Sequence, residues 1–341
     1  MASTIKDVAR KAGVAVSTAS LVINDRPNVN PETKERVLQV IRELNFHPRR
    51  NARALASQKT GNIGFILTEE HFSLAEPFYT KIFLGTEFEA RRYHYYILLT
   101  TVPGSFRTES NLPRFLRERN VDGILFAGRV PLALLQHVRE LSLPHVFIDF
   151  SPRSKMNNVV MMDNLLGASQ AVQHLLDLGH REIAFLGGDI SHPSIATRLE
   201  GYQQTLAQAQ LPLNGNLIES EEEDTSTLDG RRAVQKLIDK KISFTAIFAA
   251  NDAMALGAMQ VLQESGRKIP AEVSLVGFDD VEACVHVQPQ LTTIRVDKEE
   301  LGAIATRRLV EMIESKKELF GRVFSPVELV VRQSTAPPAL N

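Results

Sequence analysis

The chain has 341 residues, 43% hydrophobic and 23% charged, with a formal net charge of −1, an ordinary balance for a globular protein and a length that predicts two or three domains. No apolar run approaches the roughly 20 residues of a bilayer span, and the N-terminus lacks a signal-peptide apolar core, so a cytoplasmic protein without a membrane segment is expected. Cys284, the single cysteine, cannot form an internal disulfide, and no Cys/His cluster has zinc-ligand spacing, so neither metal nor cofactor is expected.

Charge is unevenly distributed. Residues 1–60 hold eleven Lys and Arg against five acids, a balance of +6 that leaves −7 for the rest. A basic end on an acidic body suits attraction of one end to phosphates. In that end, Thr4 is placed to cap a helix and Asp7 to return the capping bond, with Ile5, Val8 and Ala9 on one apolar face. Gly13 supplies a residue free to take positive φ. A second apolar face then begins at Val14 and continues through Ala19, Val22 and Ile23. Two short helices about a glycine corner predict a helix-turn-helix. A third helix is signalled by Asn30 as cap, Pro31 at its first position and Glu32 in its first turn, with Val37, Val40, Ile41 and Leu44 at helical spacing. His47-Pro48 ends it. Residues 49–57 follow as a basic, Ala-rich segment of good helix propensity but no core of its own.

Beyond residue 60, apolar strands alternate with helices. Strands are expected at 63–67, 96–100, 123–127, 145–148, 182–186, 246–250 and 275–278, with helices such as 133–141, 165–178 and 253–265. This alternation predicts parallel sheets covered on both faces. Ligands in such folds bind beyond the carboxyl ends of strands. Asp149, Asn251-Asp252 and Asp279-Asp280 sit at those ends, and Arg198 opens a helix; Asp252 and Asp280 also read as helix caps. His180 reads as a helix-end residue rather than a metal ligand.

Several runs together resemble the lac repressor/galactose repressor (LacI/GalR) family, with a purine-repressor-like layout: Ile5-Lys6-Asp7-Val8-Ala9, Ala12-Gly13-Val14, Thr18-Ala19-Ser20, Val22-Ile23-Asn24, Asn51-Ala52-Arg53-Ala54-Leu55 and Ala196-Thr197-Arg198-Leu199-Glu200-Gly201-Tyr202. The similarity runs from about residue 3 to residue 335. It implies an α/β protein with a three-helix helix-turn-helix head (1–48), a hinge helix (49–60) and a two-lobed periplasmic-binding-protein-like body (61–335). The first lobe would comprise about 61–160 and 295–325, the second about 161–294 and 326–335.

The resemblance assigns base reading to Val16, Ser17 and Leu21, and places Ser20 and Asn24 near the sugar-phosphate backbone. It makes Leu55 a wedge into the minor groove, with Arg49, Arg50 and Arg53 as phosphate or minor-groove partners. Ala15 departs from the family's usual Ser and removes a capping side chain. Effector contacts are carried onto Asp149, Arg198, Asn251 and Asp279, with Phe78, Tyr79 and Phe150 as walls and His192 and Ser194 as adjustable contacts. A guanidinium with carboxylates and an amide suits vicinal hydroxyls, and aromatic rings suit the apolar faces of a sugar. Thr225 and Lys298 stand where family members carry aromatics, which leaves the ligand class open.

The implied function is a DNA-binding transcription regulator, a repressor, that binds a palindromic operator as a homodimer and answers to a sugar-like effector. The tail after Arg332 is too short for a heptad zipper, so a dimer rather than a tetramer is expected. The rival readings are a doubly wound small-molecule enzyme and a transport receptor. Against the enzyme stands the lack of a Walker loop, a dinucleotide glycine fingerprint, a nucleophile elbow or a zinc-protease motif; against the receptor, the lack of a signal peptide and the attached basic head.

Overall fold

The computed structural model describes residues 3–23, 27, 29–46, 59–69, 78–107, 111–152, 157–317 and 320–339. Asn24, Arg49, Arg50, Arg53 and Leu55, and with them most of the expected hinge helix, lie outside the described residues. The chain divides into two compact units, one formed by Met1–Asn62 with Asn120–Asp122 and one by the remainder.

In the first unit, helices α1 (Ile5–Ala12), α2 (Val16–Ile23) and α3 (Pro31–Glu43) form where their chemistry predicts. Thr4 and Asp7 make a reciprocal capping box, the Thr4 N–H donating to the Asp7 carboxylate at 2.9 Å. The hydrogen bonds from Thr4 hold the Asp7 carboxyl below its ordinary range. Gly13 closes α1 at φ 65°, a left-handed conformation that glycine adopts without steric cost. Asn30 caps α3 by accepting the Glu32 N–H at 3.0 Å. Val8, Ala12, Val22, Val37, Val40 and Phe46 form the core that the three helices share. The Arg36 guanidinium donates to the Ala12 carbonyl at 3.0 Å and ties α3 to the end of α1.

The second unit holds two six-stranded sheets. The first contains β1 (Asn62–Thr68), β2 (Tyr96–Val102), β3 (Gly123–Ala127), β4 (His145–Ile148), β5 (Asn158–Met162) and β11 (Gly321–Ser325), ordered β11-β5-β4-β3-β1-β2. The second contains β6 (Ile183–Leu186), β7 (Ile218–Glu219), β8 (Ala246–Ala249), β9 (Ser274–Asp279), β10 (Thr292–Val296) and β12 (Val327–Val330), ordered β12-β10-β9-β8-β6-β7. The chain therefore passes between sheets three times, after β5, β10 and β11, and the sheets define two lobes. β12 pairs antiparallel with β10, whereas the central pairs are parallel. The seven expected strands all form, shifted by at most two residues at an end. Five others were not foreseen. β7 is only two residues long, β10 carries polar Thr and Arg within Thr-Thr-Ile-Arg-Val, and β11 and β12 are half-exposed edges with no continuous apolar run.

The helices are α4 (Phe78–Arg92), α5 (Arg114–Arg117), α6 (Leu132–Glu140), α7 (Asn164–Asp177), α8 (Pro193–Gln208), α9 (Thr227–Asp239), α10 (Asp252–Glu264) and α11 (Lys298–Ser315). Among the described residues no helix is long and apolar enough to cross a membrane. The expected caps at Asp252 and Asp280 are corrected. Asn251, with extended φ of −147°, caps α10 by accepting the Met254 N–H at 2.9 Å. Asp252, one residue into the helix, instead accepts from Thr293 Oγ1 at 2.5 Å and from the Val281 N–H at 2.9 Å. Burial, with the nearby Asp279 charge, pushes its carboxyl to about 7. Asp280 pairs with Arg295 and Arg332. His180 follows the end of α7 and is buried, bonding Thr245 Oγ1 at 2.9 Å and the Ala336 carbonyl at 2.9 Å. It pins the C-terminal segment to the second lobe.

α11 leaves the second sheet and packs on α4 and strands β3, β4 and β5 of the first. Two glycines permit the helix crossing. A Cβ on Gly85 would lie 1.9 Å from the Glu299 carbonyl oxygen, and one on Gly302 would lie 2.1 Å from the Ile82 carbonyl oxygen. Both obstacles are backbone, so neither side chain rotation nor local repacking makes room. Gly302→Ala is expected to cost about 1–3 kcal/mol by overpacking, read as a lower urea midpoint. Gly215→Ala, which meets open space, should stay within about 0.5 kcal/mol of the parent. Equal midpoints for the two variants would contradict the close crossing.

Candidate DNA-reading head and effector site

α2 carries apolar residues on both of its faces. Ala19 and Val22 are buried in the head, whereas Val16 and Leu21 are 44% and 41% exposed and Ser17 is exposed beside them. Ser20 is half-buried at the boundary. The Ala15 carbonyl accepts the Ala19 N–H at 3.0 Å, so a residue without a polar side chain occupies the helix start. This leaves a short helix presenting Val16, Ser17 and Leu21 outward on a small fixed core. The Val16 and Leu21 side chains are only partly covered by the head's own packing, and apolar side chains with a hydroxyl suit the thymine methyl and polar base edges of a major groove.

In the body, the predicted effector residues come from both lobes and lie at the carboxyl ends of strands. From the first lobe come Phe78 and Tyr79 at the start of α4, and Asp149 and Phe150 just after β4. From the second come His192, Ser194 and Arg198 on or beside α8, Asn251 after β8 and Asp279 at the end of β9. Asp149 is buried at φ 58°. Its Oδ2 accepts the Tyr79 hydroxyl at 3.1 Å, and its Oδ1 accepts the Ser194 hydroxyl at 2.6 Å. The second of these bonds joins the lobes. The Phe150 and His192 rings lie 6.0 Å apart across the same junction. His192 also caps α8, its Nδ1 accepting the Ser194 N–H at 3.3 Å. Burial lowers its pKa, which favours the neutral ring that this acceptor role requires.

Arg198 is 3% exposed. A buried guanidinium is tolerated only when its nitrogens find partners, and each of the three does here. Nε donates to Asn164 Oδ1 at 2.8 Å, Nη1 to the Ala250 carbonyl at 2.5 Å and Nη2 to Asp279 Oδ1 at 3.4 Å. The guanidinium also lies 3.7 Å from the centroid of the Phe278 ring. Asp279 is pushed up to about 6, because burial outweighs the opposing charges of Arg198 and Lys298, and the Asp149 charge adds to it. The Lys298 ammonium donates to the carbonyls of Asp279 and Val296 and sits 5.8 Å from the Phe78 ring. Burial lowers its pKa.

The structure thus forms two hydrogen-bonded groups, Tyr79–Asp149–Ser194 and Arg198–Asp279, that influence each other through the Asp149 charge, with the Phe78 ring near Lys298 and the Phe150 ring near His192. Asn251 is committed to the fold: besides capping α10, its Nδ2 donates to the Thr225 carbonyl at 2.9 Å. It braces the loop carrying Thr225. Sequence reasoning missed Asn164 and Phe278, which orient Arg198. Asn164 could have been sought by asking which polar residue follows Asp163, which caps α7 by accepting the Leu166 N–H at 3.0 Å, where the chain first changes lobes. Phe278, which precedes Asp279 in a continuous apolar strand, gave no such signal. Among the described residues no group of three or more His, Cys, Asp or Glu could hold a metal ion.

Comparison with known proteins agrees with both halves of this arrangement. Residues 4–49 match the family described as bacterial regulatory proteins, lacI family, and residues 172–335 match the periplasmic binding protein-like domain. Catabolite control protein A of Priestia megaterium is 33% identical over 97% of this chain and 99% of its own length. The HTH-type transcriptional repressor PurR of Pasteurella multocida (strain Pm70) is 34% identical over 97% and 98%. Among solved structures, the lac repressor dimer bound to operator and the anti-inducer ONPF superposes with a TM-score of 0.81 at 30% identity, covering 98% of this chain and all of that one. The transcriptional regulator CelR in complex with cellobiose gives 0.73 at 31% identity, covering 97% and 99%. With a helix-turn-helix head, a two-lobed body and relatives matched over almost their whole length, the chain belongs to the LacI family of DNA-binding transcription regulators.

Proposed function

We propose that this protein is a repressor that binds a palindromic operator as a homodimer and is controlled by a sugar-like effector held between the two lobes of its body. The carrying observation is Asp149. Its two oxygens already accept hydroxyl hydrogens from Tyr79 and Ser194, one from each lobe. Two hydroxyls of a polyol can replace these donors one for one, so binding exchanges equivalent hydrogen bonds and leaves few buried groups unpaired. Arg198, Asp279 and the Asn251 region complete the polar floor, Phe78 and Phe150 provide apolar walls, and His192 stands at the edge. Taking Asp149 from Ser194 alters an interlobe bond, which supplies the differential contact that an effector needs to shift the body between two states. The relatives' printed ligands, cellobiose and ONPF, support a sugar-like class.

DNA is read by Val16, Ser17 and Leu21, with Ser20 and Asn24 near the backbone, Arg49, Arg50 and Arg53 on phosphates or in the minor groove, and Leu55 as the wedge at the operator centre. Self-association is supported by exposed apolar residues on the first lobe: Leu84 and Phe88, one turn apart on α4, with Tyr96 and Leu99 on opposite faces of the edge strand β2. Twofold pairing of identical heads calls for matched half-sites.

A thermal-shift screen of sugars and sugar derivatives is the first experiment. A specific ligand at about a hundred times its dissociation constant adds roughly 2.7 kcal/mol to stability, and a comprehensive screen without a hit would count against a sugar-like effector. Exchanging Val16 and Ser17 for another family member's pair should change the bases selected from a random DNA pool while keeping the salt dependence of binding, because base contacts specify and phosphate contacts position. An unchanged selected motif would move base reading elsewhere. Asp149→Asn should weaken the identified effector by about 1.5–3 kcal/mol, the value of hydrogen bonds to a charged group, with operator binding retained in gel-shift titrations; a normal response would remove Asp149 from the site. Phe88→Glu should shift sedimentation from dimer to monomer, and an unaffected dimer would place the interface on another face.

A further inference from the structure

Arg129 lies outside the group of residues that grips the effector. It follows β3 of the first lobe by two residues, past Gly128 at φ 70°. Its Nη2 reaches the second lobe, donating to Asp189 Oδ2 at 2.8 Å and to Ser191 Oγ at 3.0 Å. The acceptor side is held in advance by a tight turn after β6. Asp189 Oδ1 accepts the Ser191 N–H at 2.7 Å, Oδ2 accepts the Ser191 hydroxyl at 2.8 Å, and the Asp189 carbonyl accepts the His192 N–H at 3.0 Å. The carboxylate is therefore fixed by its own loop whether or not Arg129 is present, and the same loop runs directly into His192 and Ser194. A carboxylate ordered beforehand loses little further freedom when it accepts a guanidinium.

We propose that Arg129 and the turn formed by Asp189 and Ser191 are an interlobe latch that favours the closed body before any effector is bound. The latch is a bias rather than a lock. Arg129 and Asp189 side chains are 47% and 34% exposed, and ion pairs of that exposure are weak and screened by salt. Its effect is to set the fraction of closed lobes from which the effector must work, since an effector shifts only an equilibrium that the chain itself has set. This consequence rests on the effector reading above, whereas the latch can be tested with neither effector nor DNA.

The test uses the full-length chain with nitroxide labels at Leu132→Cys and Leu213→Cys, exposed positions on the first and second lobes; the native Cys284 is buried and stays unlabelled. Pulsed dipolar spectroscopy without ligand should give a dominant short-distance population for the parent. Arg129→Gln and Asp189→Asn should each raise the open-to-closed ratio about two- to fivefold, and about 1 M NaCl should do the same to the parent. Arg129→Lys, which keeps the positive charge facing the intact Asp189 turn, should retain most of the closed population. Distance distributions unchanged by both neutral variants and by salt would overturn the latch, as would a charge-retaining Arg129→Lys chain that opens as far as Arg129→Gln. Failure of this test would leave effector binding at Asp149 and Arg198 untouched.

Discussion

The body is organised around a buried guanidinium. Taking the Arg198 charge out of water is costly unless its nitrogens find acceptors, and those acceptors come from distant parts of the chain: Asn164 where the chain first leaves the first sheet, the Ala250 carbonyl past β8, and Asp279 at the end of β9. Meeting this one requirement fixes two strand ends and a crossover relative to one another. Asp279 is the carboxylate partner of Arg198, and Lys298, bonded to the Asp279 carbonyl, carries the arrangement to the start of α11. From there the helix enters the first lobe through the Gly85 and Gly302 contacts. The polar floor of the site and the connection between lobes are thus parts of one network.

The proposed effector control follows from how little slack that network leaves. Asp149 faces the floor from the other lobe and is satisfied by hydroxyls alone, which are the groups a polyol brings. The head works on the opposite principle. Its three helices share a small core, so α2 buries only Ala19 and Val22 and is free to expose Val16, Ser17 and Leu21. A stable scaffold with unpaid apolar residues on its surface is what base reading requires, because such side chains gain burial only against a partner.

Much of this was legible in the sequence, for local reasons. The Thr4 and Asp7 box, the Gly13 corner and the Asn30-Pro31 start depend on residues within three or four positions of one another, so spacing alone predicts them. Strands β1, β3, β4, β8 and β9 are buried on both faces and read as continuous apolar runs. What escaped notice depends on long-range geometry. The edge strands β11 and β12 owe their pairing to neighbours far away in the chain, and Arg129 and Asp189 are 60 residues apart with no local signal linking them. The capping of α10 was misassigned between neighbours because Asn251 and Asp252 are both good caps, and only the backbone extension at Asn251 decides which side chain turns back. For Arg198 the family motif pointed to the right residue, but its partners Asn164 and Phe278 emerge only when its donors are counted in three dimensions.

Operator and effector are proposed to draw on one two-state equilibrium of the body, so that each changes the other's affinity. Linkage requires the coupling to be reciprocal. Once an effector has been identified, its dissociation constant should be measured by calorimetry with and without saturating operator, and the operator's constant by anisotropy with and without saturating effector. The account predicts that the two ratios differ from one and equal each other. An effector that binds between the lobes with the same affinity whether or not operator is bound would contradict it.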